Sequence, residues 1–327
     1  MESELHVIFG TAALGQAVMR QLVCQGKRVR MVSRSGKIAA PVEAPGTGPA
    51  LRAPAPEVEV ARGDAADPAS TREVCRGAAV VYHCAAPPYT EWAEKYPPIQ
   101  AGIIEGAGAA GAKLVSAESV YMYGEVSGPM TEDLPYAATT RKGRIRAQLT
   151  EMLMEAHKSG KVRATIGRAP DFYGPGAEIT TIYGGRVFYP ALAGKKVAVM
   201  GRLDLPHTFI FIDDFGRGLV TLGERDEALG QAWHLPCAPT PTQRELLTLI
   251  FEEAGQTPRM GETPSLIFRG LAPFVPVVRE LAELLYQWEK PYVFSHAKFE
   301  RAFGADVTPH REAVRRTVDW FRCHPKQ

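Results

Sequence analysis

The chain has 327 residues, and its 38 lysines and arginines against 36 aspartates and glutamates leave a formal net charge of +2. This length is enough for a large α/β domain with a smaller appendage. The near-neutral balance lacks the basic excess on which phosphate-backbone binding depends, so it argues against nucleic acid as a partner.

The N-terminus and the cysteines bear on the cellular compartment. MESELHVIF carries acids where a secretory signal needs positive charge, and no apolar run of about eighteen residues occurs in the chain. The five cysteines are scattered and lack the CxxC or Cys/His spacing of a metal site. We therefore expect a soluble, cytoplasmic protein with no membrane partner and no structural metal.

The first half of the chain alternates between strand and helix patterns. Apolar runs of strand length occur in LHVIF, RVRMVS, VEVARGDAAD, AAVVYHCAAP, AKLVSAESV and VRATIGRAP. Helical spacing of apolar residues separates them, at 14–23, 70–76, 99–110 and from Ile145 onward. This alternation predicts βαβ units and a parallel sheet. The Ala/Pro/Gly-rich stretch 38–56 is predicted to be a surface loop.

Beyond Gly174 the pattern breaks into shorter pieces punctuated by glycine and proline, followed by a long helical stretch over 276–289. We predict an α/β fold with a Rossmann-type, doubly wound parallel sheet and a smaller C-terminal substrate-binding subdomain. The nucleotide-binding part should span 1–175, with 207–235 returning to it. The substrate-binding subdomain should comprise 176–206 and 236–327.

The turn after the first strand predicts a phosphate-binding site. In GTAALG the first and third glycine positions of a dinucleotide turn fall on Gly10 and Gly15, and Ala12 takes the middle position. The following helix start offers unpaired N–H groups to a pyrophosphate. Taken alone, this pattern fits an ordinary strand-to-helix turn equally well. The candidate cofactor-binding residues here are Gly10, Thr11, Ala12, Ala13, Leu14 and Gly15.

The end of the second strand predicts which dinucleotide binds. An Asp or Glu there bonds the ribose 2′-hydroxyl of NAD, whereas an arginine receives the 2′-phosphate of NADP. This chain has Ser33 and Arg34 at that point, with Lys37 close behind. A guanidinium suits phosphate geometry, so we predict that NADP(H) is preferred over NAD(H). The alternative is that Arg34 only caps an exposed loop.

These motifs resemble the extended branch of the short-chain dehydrogenase/reductase superfamily, which includes sugar-nucleotide epimerases, dehydratases and dihydroflavonol-type reductases. The matching segments, in order, are GTAALG, RGDAAD, VVYHCAAP, VSAESVYMYG, GRAPDFYGPG, FIDDFGRGL, SHAKFERAFG and TVDWFR. The resemblance covers essentially the whole chain. It implies a homodimer, contact of Asp64 with the adenine, and a cofactor site that includes Ala85, Ala86, Ala169, Pro170 and Phe172.

The same resemblance implies an active site. In that family a serine and a tyrosine bond the substrate oxygen, and a lysine four residues after the tyrosine lowers its pKa and bonds the nicotinamide ribose. Ser119 falls on the serine, counted back from Gly124, and Lys142 falls on the lysine. Ala138 stands where the tyrosine should be.

Three interpretations follow from the missing tyrosine. Tyr121 could replace it, because a side chain two residues after Ser119 shares its side of an extended segment. Substrate-assisted or water-mediated protonation is the second, and a nucleotide-binding sensor or scaffold without hydride transfer is the third. Apart from Lys142, the nearby cations Arg141, Arg144 and Arg146 could form a solvated face.

The function that we predict from the sequence is NADP(H)-dependent oxidation or reduction of a carbonyl or alcohol on a small organic substrate. Ser119 would orient the substrate oxygen, Lys142 would bond the ribose, and Tyr121 would supply the proton. The alternatives are an epimerase or dehydratase that holds its nicotinamide cofactor tightly, and an inactive NADP-binding sensor or scaffold.

Overall fold

The structure is a computed structural model that describes residues 4–38 and 58–326. The loop predicted over 38–56 lies outside the described residues except for its first residue. None of the described helices is both long and apolar enough to cross a membrane.

Strands and helices alternate through the first half of the chain. Within the described residues, the strands are Leu5–Phe9 (β1), Arg28–Ser33 (β2), Val58–Arg62 (β3), Ala78–His83 (β4), Lys113–Glu118 (β5), Arg163–Arg168 (β6), Asp171–Tyr173 (β7), Val197–Met200 (β8), Phe209–Phe211 (β9), Ala232–His234 (β10) and Met260–Thr263 (β11). The helices of that same part of the chain are Ala13–Cys24 (α1), Pro68–Val74 (α2), Trp92–Ala109 (α3), Arg141–Lys158 (α4), Gly185–Leu192 (α5), Ile212–Glu224 (α6), Gln243–Ala254 (α7), Ser265–Leu271 (α8), Pro276–Ala282 (α9), Tyr286–Glu289 (α10), Ala297–Phe303 (α11) and His310–Cys323 (α12).

A seven-stranded sheet with the strand order β10-β6-β5-β4-β1-β2-β3 forms the centre of the molecule. Every pair of neighbouring strands in it is parallel. The chain runs outward from β1 to β3 on one side and from β4 to β6 on the other, so the strand order reverses between β1 and β4. This is the doubly wound α/β fold, and its ligand crevice lies at the carboxyl ends of the strands near that reversal. The predicted fold class is confirmed.

Two helical layers cover the sheet. Helices α1 and α6 pack together on one face, and α2, α3 and α4 pack side by side on the other. Helix α3 begins at Trp92, earlier than the predicted start at residue 99, and continues through Pro97 and Pro98. This early start places Trp92 and Tyr96 on the helix, where both side chains are buried.

The C-terminal part of the chain builds a second hydrophobic core. Helices α5, α7 and α12 surround buried aromatic residues that include Phe188, Phe251 and Phe321. Strand β8 pairs with β11, and β10 returns to the central sheet beside β6. The division into two functional parts remains a prediction.

The helical stretch expected over 276–289 is divided in the structure. The structure has two short helices, α9 and α10, separated by a turn over 283–285. The break lets Leu284 pack with Trp92 and Tyr121 while Trp288 enters the second core. The apolar residues of this stretch therefore face two different cores, which one straight helix cannot achieve.

Candidate active site

A cleft of about 1430 Å³ opens at the carboxyl ends of the central strands. One end is walled by the start of α1 and by the segments that follow β4, β5 and β6. The other end is walled by α5, by α9 and α10, and by the C-terminal end of α12. The cleft therefore joins the predicted nucleotide-binding and substrate-binding parts of the chain.

The glycine turn between β1 and α1 lets backbone segments approach one another closely. Gly10 has a φ of +108°, and a Cβ placed on it would lie 2.8 Å from the carbonyl oxygen of Cys84. A Cβ on Gly15 would lie only 1.9 Å from the Gly10 carbonyl oxygen. No described side chain caps the start of α1 at Ala12, so its first N–H groups remain open to a ligand. This small-residue turn fits a dinucleotide pyrophosphate.

Most of the other predicted cofactor residues also line the cleft. Ala12, Ala13 and Leu14 contribute the start of α1, and Thr11 is buried just before it. The remaining members of the predicted set found in the cleft wall are Ala85, Ala86, Ala169, Pro170 and Phe172. The structure thus brings together residues from three separate sequence motifs.

The residues predicted to select the nucleotide lie outside the cleft wall. Arg34 and Lys37 are exposed at the carboxyl end of β2. The Ser33 hydroxyl accepts a hydrogen bond from the Lys37 amide at 3.1 Å and donates to the Lys37 carbonyl oxygen at 2.9 Å. Asp64 is also exposed, and its carboxylate accepts from the Ala66 amide at 2.9 Å. Ser33 and Asp64 therefore stabilise local turns.

Ser119 and Tyr121 both line the cleft, directly after β5. The Ser119 hydroxyl oxygen is buried and has no hydrogen-bond partner among the described residues. Tyr121 lies in a short 3₁₀ turn rather than the extended segment expected, and its hydroxyl is 3.1 Å from that of Tyr89. Burial raises the pKa of Tyr121 well above its ordinary value, and the nearby Tyr89 and Asp171 raise it further.

Lys142 lies beside the cleft and is fully buried near the start of α4. Its ammonium group binds the carboxylate of Glu280 from α9. Burial opposes ionisation of Glu280, but the Lys142 and Arg141 cations hold its pKa below the usual value. Contact of Lys142 with a ribose remains a prediction, since the side chain is fully buried and pairs with Glu280.

Arg146 is one cleft-lining residue that the sequence did not lead us to expect there. It lies one helical turn after Lys142, lines the cleft and is only 7% exposed, so its placement on a solvated face is wrong. Its guanidinium carbon stands 4.5 Å from the ring centre of Trp92 and 4.6 Å from that of Tyr96. The i, i+4 spacing from Lys142 was the available signal, because such residues share one helix face.

The NAD-dependent epimerase/dehydratase family model matches residues 7–235 of this chain. The chain belongs to that family. Its members include the extended dehydrogenase/reductase proteins that the motifs resemble, so the predicted resemblance is confirmed, and the protein is an NAD(P)-dependent enzyme. No curated protein sequence matches the chain.

Solved structures of epimerases and dehydratases share the fold. The dTDP-glucose 4,6-dehydratase DesIV from Streptomyces venezuelae, with NAD bound, is 18% identical, with 97% of each chain covered and a TM-score of 0.76. UDP-glucuronic acid 4-epimerase from Bacillus cereus, in complex with NAD, is 16% identical, with 98% of this chain and 100% of that chain covered and a TM-score of 0.76. UDP-N-acetylglucosamine 4-epimerase from Methanobrevibacter ruminantium is 16% identical, with coverages of 99% and 100% and a TM-score of 0.77.

In this epimerase/dehydratase-family chain, a second polar pair borders the cleft. Asp171, a cleft-lining residue, carries a carboxylate oxygen 2.9 Å from Nε2 of His207. The His207 ring is buried and stacks on Trp288 with ring centres 3.9 Å apart. No local pattern predicts this pair, because its members are 36 residues apart.

Two other tyrosines near the motifs, the buried Tyr123 and the exposed Tyr136, bond the same arginine. The Tyr123 hydroxyl accepts from Arg168 at 2.6 Å and lies 2.8 Å from Nε2 of His234. The Tyr136 hydroxyl also accepts from Arg168, at 2.6 Å. Both phenols are thus engaged by the buried Arg168, which leaves Tyr121 and Tyr89 as the phenols paired in the cleft.

Proposed function

We propose that the protein is an NADP(H)-dependent oxidoreductase that acts on an alcohol or carbonyl of a small organic substrate. The observation that carries this proposal is the buried Ser119 hydroxyl, which has no hydrogen-bond partner among the described residues and lies in a cleft that Tyr121 and the start of α1 also line. A hydroxyl in that position can bond a substrate oxygen, and a phenol next to it can exchange a proton with that oxygen.

Each side chain in the cleft has a separate role in the proposed reaction. A bound nicotinamide supplies or accepts the hydride. Ser119 donates a hydrogen bond to the substrate carbonyl oxygen, and Tyr121 gives it a proton in the direction of reduction. A phenol is protonated at neutral pH even at its ordinary pKa, and burial raises the pKa of Tyr121 further, so Tyr121 carries the proton but is a weaker acid than a free tyrosine. Tyr89 is 36% exposed and touches the Tyr121 hydroxyl, so it can return the proton from solvent.

The cleft wall near these phenols favours an apolar substrate body. Tyr89, Trp92, Tyr121 and Leu284 line this part of the cleft. The ring centres of Tyr89 and Trp92 are 4.9 Å apart, and those of Trp92 and Tyr121 are 6.2 Å apart. Such a wall binds an apolar or aromatic face by burial of its surface.

The preference for NADP(H) rests on Arg34, which is exposed at the end of β2, whereas Arg30 of the same strand is paired with Glu59. Arg34→Glu should weaken NADPH binding roughly 10- to 100-fold, because it removes a charged hydrogen-bond donor and places a carboxylate against the phosphate. Fluorescence titration measures this. Arg28→Glu, at the other end of the same strand, is the matched control. NADPH binding that is equal in wild type and Arg34→Glu would contradict the preference.

A second candidate is an epimerase or dehydratase that holds its dinucleotide tightly, and the family match favours it. Under that function, the hydride leaves and returns within one catalytic cycle, so the cofactor need not exchange. Protein purified without added nucleotide would then release nicotinamide dinucleotide on denaturation. A nucleotide-free protein that binds NADPH reversibly favours the oxidoreductase instead.

A further inference from the structure

We propose that Arg146 binds the hydroxyl groups of the ribose next to the nicotinamide. The Arg146 side chain is more than nine-tenths buried and lines the cleft, and its Nε atom has no hydrogen-bond partner among the described residues. A buried donor without an acceptor is costly, so a position like this is stable chiefly when a ligand supplies the acceptor.

Two aromatic rings pack against the Arg146 guanidinium. Trp92 and Tyr96 stand 4.5 and 4.6 Å from its central carbon, and both come from α3. Cation–π contacts of this kind stabilise the charge without using the N–H donors. The Glu118 carboxylate, which also lines the cleft, pairs with Arg168. The rings therefore hold the guanidinium, and the Tyr96 hydroxyl also accepts a hydrogen bond from Arg146, so Nε is the donor that lacks a partner among the described residues.

The neighbouring cation on the same helix is already engaged. The Lys142 ammonium binds Glu280, and Lys142 is fully buried. Moving the ammonium away from Glu280 to reach a ligand would weaken a buried ion pair, which costs stability. Arg146 already lines the cleft, and its Nε donor has no partner among the described residues that a ligand would have to displace.

The path of a dinucleotide through the cleft identifies the group that meets Arg146. A pyrophosphate on the glycine turn and the start of α1 places the adenosine toward the end of β2, where Arg34 lies. The ribose and nicotinamide on the other side of the pyrophosphate must then cross the ends of β4 and β5, where Ser119 and Arg146 line the cleft. A ribose offers two adjacent hydroxyl oxygens, which suit the fork of a guanidinium.

The inference rests on the proposed function only in requiring that a nicotinamide dinucleotide binds. Three probes separate the parts of the ligand: ADP, ADP-ribose, and whichever of NADPH and NADH binds the wild type more tightly. We expect Arg146→Gln to weaken the dinucleotide and ADP-ribose about tenfold and to leave ADP unchanged. Isothermal titration calorimetry measures all three affinities.

Two further variants complete the test. Arg144→Gln removes an exposed cation from the same helix and should bind all three probes like the wild type. Arg146→Lys keeps the charge but loses the fork, and it should bind the dinucleotide with intermediate affinity; it also replaces Arg146→Gln if that variant fails to fold.

Wild-type affinity of Arg146→Gln for ADP-ribose would overturn the ribose assignment while leaving the proposed function intact. A loss confined to the dinucleotide would overturn it too, because the contact would then be with the nicotinamide. A wild-type protein that binds neither dinucleotide, after removal of resident nucleotide, would overturn both proposals.

Discussion

Ser119 carries a hydroxyl group that the rest of the described chain does not satisfy. A buried polar group in this state costs about 1 to 3 kcal/mol of stability. Ser119 follows β5 in the wall of the cleft, where a substrate oxygen can accept the missing hydrogen bond and offset that cost. Stability and function should therefore respond in opposite directions when the hydroxyl is removed.

We predict that Ser119→Ala does not lower the free energy of unfolding of the nucleotide-free protein and raises it by up to about 1 kcal/mol, while lowering turnover. Urea denaturation measures the first effect. Ser70→Ala is the matched comparison, because the Ser70 hydroxyl accepts a hydrogen bond from the Asp64 amide at 2.9 Å. If both variants lose the same stability, the Ser119 hydroxyl is satisfied and its proposed role is unsupported.

The sequence reached some residues of the site and missed others for a physical reason. Motif position predicted that Ser119 and Tyr121 would stand after β5, and the structure places both in the cleft. Arg146 was missed because charge usually indicates exposure, whereas here two aromatic rings shelter the guanidinium. Both rings belong to α3, so the burial of Arg146 is visible only once α3 packs against α4.

At the scale of elements, ion pairs connect helix α9 to helix α4. Glu280 binds the Lys142 ammonium and accepts from Arg141 at 2.7 Å. The next residue, Leu281, lines the cleft, so this attachment also sets the position of the wall. The sequence predicted the helical character of 276–289 but not its break, because two separate cores share its apolar residues.

We predict that Glu280→Gln lowers the free energy of unfolding by about 3 kcal/mol, because it leaves a buried ammonium without a counter-charge. Glu283→Gln is the control. Glu283 accepts from the Lys142 backbone amide at 3.2 Å and is more exposed, so its replacement should cost clearly less. Urea denaturation of the two variants provides the comparison, and equal losses would refute a special role for the buried ion pair.

At the scale of the whole molecule, sequence periodicity predicted the fold correctly wherever elements that follow one another in the chain also pack together. The alternation of strands and helices predicted the parallel sheet because each βαβ unit is local. The C-terminal part was not predicted in detail, because its contacts are distant in sequence. Strand β8 pairs with β11 about sixty residues later, and His207 reaches back to Asp171. No local pattern encodes such pairs.

The buried histidines predict how the whole fold responds to acid. Burial lowers the pKa of His83 and of His234 to about 3 and that of His6 to about 4. All three are neutral in the folded protein at pH 7, and each takes up a proton on unfolding once the pH falls below about 6.5. Their contribution to stability is complete above that pH and is lost as the pH falls toward the folded-state pKa values.

We therefore predict that the free energy of unfolding decreases between pH 7 and pH 5, by up to about 1.4 kcal/mol per pH unit for each of these histidines. Urea denaturation across this range measures the slope. His83→Gln should make the slope shallower, because one of the three protons is no longer taken up. A free energy of unfolding that stays constant from pH 7 to pH 5 would contradict the burial of these side chains.

The central claim is that the cleft binds an exchangeable nicotinamide dinucleotide for redox chemistry. The most direct test is a fluorescence titration of protein freed of resident nucleotide, with NADPH and separately with NADH. The account predicts saturable binding of one dinucleotide per chain, tighter for NADPH. Failure of the nucleotide-free, folded protein to bind either dinucleotide would contradict it.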